Sequence, residues 1–466
     1  MKISGDHLTT LDLPLTVDRS AEEPLTAQLT GQLRAAMREG RLAAGERLPS
    51  SRSMASVLGV SRTVVTEAYE QLYAEGWLEG RHGSGTYVTE ISAAQPPHPI
   101  SEIQGPETPE SAGRRGMIDL RPGVAWIGGL DTPAWRRAWR LAAMVAPAAR
   151  PDPHGLPGLR ALLADYVRRS RGVACAPERL LITRGSTNGL DLLAATILRP
   201  GDRVGMEDPG YGKARSVLTA RGAELVPCPV DEHGLIVEDL PDDLRLVYTT
   251  PSHQYPLGGV LPVPRRQALL SWARRTGALI AEDDYDGEFR YDVAPLPALY
   301  GLDPDVVVYL GTTSKILTSD VGVGWLVARP DLVEAVARRR ADFNDRTAAV
   351  PQEALRLLLE RGDLERYVRR MRAEYARRRA VVAEALHGLR LRGDTAGLHL
   401  VVELPAGETD RIVAEAAERG VLLDTLERHH AGTPTVFGLV IGYGSAANLT
   451  DLKTACTLIR ALAAAP

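Results

Sequence analysis

Between Thr89 and Gly116 this chain loses all hydrophobic periodicity, and that break constrains its fold more than any other feature. The stretch TEISAAQPPHPISEIQGPETPESAGRRG is rich in Pro, Ser, Glu and Gly, a composition that cannot bury enough apolar surface to offset chain entropy. It predicts a tether (89–116) joining a small unit (1–88) to a large one (117–466), with a fully drawn-out reach of roughly 90 Å. The 466 residues are enough for two separate cores. No run of 18 apolar residues occurs, so no membrane span is expected. Met1–Pro14 lacks the basic start and apolar stretch of a secretory signal. Cys175, Cys228 and Cys456 are odd in number and far apart, which gives neither a disulfide framework nor metal-ligand spacing. A cytoplasmic protein is the expectation.

The small unit carries apolar residues at helical spacing, Leu29, Leu33, Ala36 and Met37, after Pro24-Leu25. Pro49-Ser50-Ser51 predicts a capped second helix through Leu58. Gly59-Val60-Ser61 then turns into a third helix, Arg62 to Ala74, with Val64, Val65, Ala68, Tyr69 and Leu72 facing inward. Trp77-Leu78 and Thr86–Val88 read as two short strands flanking Arg81-His82-Gly83-Ser84-Gly85. Three helices and a glycine-tipped hairpin make a winged helix-turn-helix. Residues 1–89 are not basic overall, but between Arg41 and Arg62 four arginines (Arg41, Arg47, Arg52, Arg62) face the single acid Glu46. They lie at helix starts and the turn, where phosphate contacts form. Ser61, Arg62, Thr63 and Thr66 occupy the outward N-terminal side of the third helix, the part that enters a major groove. Double-stranded DNA is the expected partner.

The large unit alternates apolar strands with helices, an α/β architecture with a largely parallel sheet. The expected strands are Leu180–Thr183, Arg203–Glu207, Leu246–Thr249, Leu279–Glu282, Val306–Leu310 and Gly324–Val327. In such sheets ligands gather at the carboxyl ends of strands, and the chain's distinctive residues fall there. Only four lysines occur, and one of them, Lys315, follows Gly311-Thr312-Thr313-Ser314 at a strand end. A guanidinium does not deprotonate, whereas a lysine amine can lose its proton and form a Schiff base.

Gly185-Ser186-Thr187 opens an apolar helix whose free N–H groups suit a phosphate. Tyr211 offers a ring after one strand, and Glu282-Asp283-Asp284-Tyr285-Asp286 ends another in a carboxylate cluster. Pyridoxal 5′-phosphate (PLP) would account for the whole set. It requires a lysine, a carboxylate at its ring nitrogen, a donor at its ring oxygen, a stacking ring and a phosphate cup. Lys315, Asp283, Tyr285, Tyr211 and Gly185–Thr187 supply these. A divalent cation on the acidic cluster is the alternative, disfavoured because adjacent Asp residues lack other spaced oxygens. His429-His430 reads as an exposed loop pair and no metal is expected there.

The segment PLTAQLTGQLRAAMREGRLAAGERLPSSRSMASVLGVSRTVVTEAYEQLYAEGWLEGRHGSGTYV resembles the GntR family of bacterial regulators. That resemblance implies DNA contacts from Arg52, Arg62 and Thr63, with His82 and Gly83 of the wing. Thr66 stands where other branches carry an arginine. The large unit resembles fold type I aminotransferases, and the two-part chain resembles the MocR subfamily, through DPHGLPGLR (152–160), GDRVGMEDPGY (201–211), TPSHQYPLG (250–258), EDDYDGEFRY (282–291) and GTTSK (311–315). The resemblance implies a Schiff base on Lys315, a pyridinium contact from Asp283 and a ring-oxygen contact from Tyr285. It further implies stacking by Tyr211, phosphate hydroxyls from Thr312 and Ser314, and a homodimer joined through the large domains. Asp284 is the fallback for the pyridinium role.

Two departures bear on function. Gly322, beside Asp320, stands where the family has a phosphate-gripping arginine. Losing a charge-assisted contact of roughly 1.5–3 kcal/mol weakens retention by about one to two powers of ten unless another arginine substitutes. The late segment VFGLVIGYG (436–444) lacks the arginine that amino-acid aminotransferases use for the substrate carboxylate. Lys213 reads equally as a ligand contact or a loop charge. The expectation is a transcriptional regulator sensing PLP, or an amine condensing with it, and not an enzyme. A DNA-tethered aminotransferase and a regulator that has lost PLP are the alternatives.

Overall fold

The computed structural model describes residues 13–81, 85–90, 116–393 and 395–464. Contacts divide the chain into two units, Met1–Glu110 and Ser111–Pro466. The division falls inside the stretch read as a tether, most of which lies outside the described residues, as do His82 and Gly83.

In the first unit, α1 (Leu25–Arg38), β1 (Arg47–Leu48), α2 (Ser51–Leu58), α3 (Arg62–Ala74), β2 (Leu78–Arg81) and β3 (Gly85–Val88) follow in order. The expected serine cap of α2 forms, Ser50 Oγ accepting the Ser53 N–H at 3.1 Å, and Ser61 Oγ caps α3 by accepting that of Val64 at 3.4 Å. Gly59 ends α2 in the left-handed region (φ +65°), which permits the tight corner into α3. β2 and β3 pair antiparallel, with Leu78 opposite Val88. The short β1, absent from the sequence reading, lies on the other side of β3 with Leu48 opposite Thr86. Leu29, Leu33, Val65, Ala68 and Leu72 form the core with Leu48, Leu78 and Val88. Val64, expected inward, is only half-buried.

The second unit begins with β4 (Ile118–Asp119), α4 (Pro133–Ala142) and α5 (Pro157–Arg171). The main sheet comprises β5 (Leu180–Thr183), β6 (Arg203–Asp208), β7 (Glu224–Asp231), β8 (Gly234–Leu235), β9 (Leu246–Thr249), β10 (Leu279–Asp284), β11 (Val307–Thr312) and β12 (Gly324–Val327), in the lateral order β5-β12-β11-β10-β9-β6-β7-β8. Between these strands run α6 (Ser186–Ile197), α7 (Gly212–Ala220) and α8 (Val263–Thr276), and α9 (Pro330–Asp342) follows the last. Leu180 and Ile182 enter one core while Leu181 enters the other, so the strands are apolar on both sides.

All six expected strands form, with β10 running two residues further, to Asp284. β12 departs from the parallel expectation, lying antiparallel between β11 and β5. The connection from Thr312 to Gly324 falls short of the dozen or more residues of a parallel crossover. β7 and β8 were not expected from the sequence. The chain continues through α10 (Ala349–Glu360), α11 (Asp363–Ala385), β13 (Arg390–Arg392), β14 (His399–Glu403), α12 (Glu408–Glu418), β15 (Val421–Leu422), β16 (Asp424–Thr425), β17 (Gly438–Gly442) and α13 (Leu449–Ala464). A second sheet has the order β13-β14-β17-β16, and β15 pairs with β4. No helix among the described residues is long and apolar enough to cross a membrane.

Candidate functional site

One cavity at the carboxyl ends of β5, β9, β10 and β11 gathers every cofactor residue expected from the sequence. Gly185, Ser186, Thr187, Tyr211, Asp283, Tyr285, Thr312, Ser314 and Lys315 line it, with Arg184, Tyr248, Thr250 and Tyr255.

Strand alternation sorts the acidic cluster. Glu282 turns away and accepts the backbone N–H groups of Leu299 and Tyr300 at 2.7 and 2.9 Å. Asp283 faces the cavity. Its Oδ2 accepts the Tyr248 hydroxyl at 2.6 Å, whereas Oδ1 is buried without a hydrogen-bond partner. Burial pushes its carboxyl up to about 6, the Tyr248 hydrogen bond offsetting part of the rise. Asp284 points the other way into a buried pair with Arg171, Nε to Oδ2 at 2.5 Å and Nη2 to Oδ1 at 2.8 Å, and also accepts the Tyr309 hydroxyl at 2.7 Å. Its oxygens are fully engaged and it does not line the cavity, which removes it as the fallback for the pyridinium contact.

Lys315 reaches back to donate to the Gly123 carbonyl. Burial lowers its pKa first and the nearby Lys213 charge lowers it further, against Asp286 and Asp283, which raise it. Lys213 itself is exposed and does not line the cavity. Gly185 caps α6 at φ +119°, and an added Cβ would meet Thr312 Oγ1 at 3.5 Å. Thr312 Oγ1 donates to Ser314 Oγ at 3.0 Å and accepts the Ser314 N–H at 3.1 Å. Hydroxyls and helix N–H groups therefore converge on one end of the cavity. Gly322 sits at φ +57° with open space where a Cβ would be. Arg184 is the arginine on the cavity wall, and its guanidinium pairs with Asp345 at 2.9 Å.

The unpartnered oxygen of Asp283 is the test of fit for PLP. A buried carboxylate oxygen left without a donor is costly, and a protonated ring nitrogen would satisfy it. With a lysine amine, an aromatic ring and a hydroxyl-lined helix start around the same space, the donor set suits that group.

Tyr285 is tied to His253: its hydroxyl lies 2.9 Å from Nδ1 and donates to the His253 carbonyl at 3.1 Å. Asp286 Oδ2 also meets Nδ1, at 2.9 Å. Tyr255 stands edge-on to Tyr211 and Tyr285, with ring centroids 5.7 and 5.9 Å apart. His429 and His430 are buried, 8% and 9% exposed, and are not the exposed pair expected. His429 packs edge-on against Tyr255, and His430 Nε2 accepts the Thr435 N–H at 3.3 Å. Tyr255, remote in sequence, covers His429, while the Thr435 contact to His430 is local. His253, Asp286 and His399 hold potential metal-ligand atoms within 4.8 Å of one another, but hydrogen bonds already engage all three side chains.

Sequence reasoning missed Tyr248 and Arg184, and named Thr250 and Tyr255 only within the TPSHQYPLG motif, with no role of their own. Tyr248 opposes Ala281 across β9 and β10, which puts it on the same face as Asp283. Only the strand register carries that signal.

In the first unit Arg52, Ser61, Arg62 and Thr63 are exposed and Thr66 is half-buried. Arg62 Nε lies 3.3 Å from Ser51 Oγ, which brings the starts of α2 and α3 together. Thr66 lines a cleft with Arg47, Ser50 and Tyr73.

A winged helix and an aminotransferase-type domain carrying a lysine-centred cavity define a class, DNA-binding regulators built on an enzyme fold. The comparisons agree. Residues 25–88 match the family described as bacterial regulatory proteins, gntR family, and residues 128–437 match aminotransferase class I and II. The HTH-type pyridoxine biosynthesis transcriptional regulator PdxR of Corynebacterium glutamicum is 39% identical over 438 residues, covering 93% of this chain and 95% of that one. The probable rhizopine catabolism regulatory protein MocR of Rhizobium meliloti is 35% identical, covering 92% of each. Among solved structures, an archaeal alanine:glyoxylate aminotransferase superposes with a TM-score of 0.70 at 24% identity, over 74% of this chain and 90% of that one. The α-aminoadipate aminotransferase of Thermus thermophilus, complexed with N-(5′-phosphopyridoxyl)-L-leucine, gives 0.68 at 24% identity, over 75% and 92%. These two show the fold alone. The chain belongs to the MocR-type regulators of the GntR family and is a transcriptional regulator.

Proposed function

We propose that the large domain (117–466) holds PLP and that PLP is itself the signal the protein reports to DNA, in the cytoplasm. The observation that carries this reading is the unpartnered buried oxygen of Asp283, set in the same cavity as Lys315 and the α6 N-terminus. PLP, when bound, supplies an aldehyde that captures a primary amine. The protein's own groups prepare for it. Burial and the Lys213 charge depress the Lys315 pKa, which enlarges the unprotonated, nucleophilic fraction of its amine. Tyr248 holds one Asp283 oxygen, leaving the other to accept from the ring nitrogen. The first N–H groups of α6, with Thr312 and Ser314, hold the phosphate, and Tyr211 supplies a ring to stack. Arg184, exchanging Asp345 for the phosphate, supplies the charge that Gly322 does not.

No arginine stands on β17 to grip a substrate carboxylate, which favours a sensor over a working aminotransferase and PLP over an amino acid as the signal. The name of the Corynebacterium relative, a pyridoxine biosynthesis regulator, supports the same choice. Linkage requires only that PLP bind the DNA-competent and incompetent states with different affinity. A homodimer through the large domains would present two winged helices to paired half-sites, with Arg52, Ser61, Arg62, Thr63, Thr66, His82 and Gly83 toward DNA.

The test is absorbance. PLP added to the apoprotein should give a visible band that is lost in Lys315→Ala, change operator affinity, and produce no sustained keto acid from amino acids. A colourless wild type refutes the cofactor. Steady turnover refutes the sensor, and a response only when an amine accompanies PLP shifts the signal to the amine.

A further inference from the structure

Behind the cavity wall, Asp286, His253 and Tyr285 form a chain of contacts that binding alone does not require. His253 Nδ1 is met by two groups at 2.9 Å, the Asp286 carboxylate and the Tyr285 hydroxyl. If Nδ1 were bare, it would face a carboxylate oxygen with no proton between them. An ionised Asp286 can only accept, so Nδ1–H donates to it, and that assignment sets the tautomer. The Tyr285 hydroxyl then donates to the His253 carbonyl, 3.1 Å away. His253 Nε2 is buried without a partner, so nothing else orients this ring by hydrogen bonding at that atom. Gly397 packs against it so closely that a Cβ there would lie 2.1 Å from Cε1. The ring is clamped in place.

We infer that His253 is a positioning residue: by engaging Asp286 it keeps that carboxylate from capturing the Tyr285 hydroxyl proton, which rests on the His253 carbonyl at 3.1 Å and turns from there to the ring oxygen of PLP. The inference rests on the cofactor reading above. The groups facing Tyr285 are Asp283 and Asp286 beside it in sequence, Glu207 at the end of β6, and His253 and Tyr255 after β9; His399 on β14 packs against those last two, and Lys315 after β11 shares the cavity. His399 donates from Nε2 to the Pro256 carbonyl at 2.9 Å, and its burial holds it neutral through the working range. The Asp286 charge acts on Lys315, raising its proton affinity. Two effects of equal sign follow when the imidazole donor is lost. The ring oxygen loses its hydrogen-bond donor, and the less neutralised Asp286 favours protonation nearby.

The experiment is a pH titration of the visible absorbance of full-length protein with bound PLP, together with its PLP affinity. His253→Leu and His253→Gln should raise the titration midpoint by about half to one unit and weaken PLP roughly five-fold. His253→Asn, whose amide N–H reproduces Nδ1–H, should restore the wild-type midpoint. Asp286→Asn should lower it, because the charge is gone. Thermal melts identify folded variants, and Gln and Asp286→Asn carry the comparison should Leu not fold. A wild type that stays colourless with PLP overturns the cofactor reading, and this inference falls with it. A wild type that colours, with Leu and Gln variants keeping its midpoint, overturns the inference alone.

Discussion

Asp283→Asn should make the cofactor-free protein more stable and the cofactor bind more weakly. The carboxyl is 5% exposed, and burial raises it from the ordinary 3.8 to about 6. A carboxyl raised by folding destabilises the native state at any pH above its folded value. That gap corresponds to about 3 kcal/mol at neutral pH, fading as pH falls from about 6 to below 4. Asparagine keeps an acceptor for Tyr248 and removes the charge, so at pH 7.5 the large domain should melt about 4 °C higher without PLP. The gain should vanish near pH 4. Towards PLP the sign reverses, since an amide N–H facing the ring nitrogen forfeits a charge-assisted bond of roughly 1.5–3 kcal/mol, a loss of about 10- to 150-fold in affinity. Paired melts and spectroscopic titrations check both signs. An apoprotein melting at or below wild type refutes the burial cost, and unchanged PLP affinity refutes Asp283 as the ring-nitrogen partner.

Three further outcomes are expected. Arg171→Leu strands a buried Asp284 carboxylate and should cost about 3–5 kcal/mol, read in urea unfolding, because Arg171 is 1% exposed and holds Asp284 through two bonds. Ser61→Ala removes the α3 cap and should cost about 1 kcal/mol, seen as roughly five-fold faster amide exchange in the first turn of α3. Arg62→Ala should weaken specific DNA affinity at fixed salt by about ten-fold or more while leaving PLP absorbance intact, and an unchanged gel shift would remove α3 from the groove.

Features set by neighbours a few residues apart were legible in the chain: the Ser50 cap, the Gly59 corner, the apolar strands, and Lys315 just past the end of β11. Their physics is local, a side chain reaching an N–H three residues on or an apolar run long enough for a strand, so spacing suffices. The convergence of Lys315, Asp283, Tyr285, Tyr211 and the α6 start could be anticipated because parallel strands deliver their ends to one edge. Which carboxylate faces that edge was not legible. Asp283 and Asp284 are chemically identical neighbours, and only the strand's alternation, with Arg171 waiting behind one and Tyr248 beside the other, separates them. The pairing of β12 with β5, the burial of His429 against Tyr255, and the His253 link to Asp286 and Tyr285 also join residues far apart in the chain. Such contacts depend on register and packing between distant segments, quantities that no local pattern encodes, and the tertiary structure alone decided them.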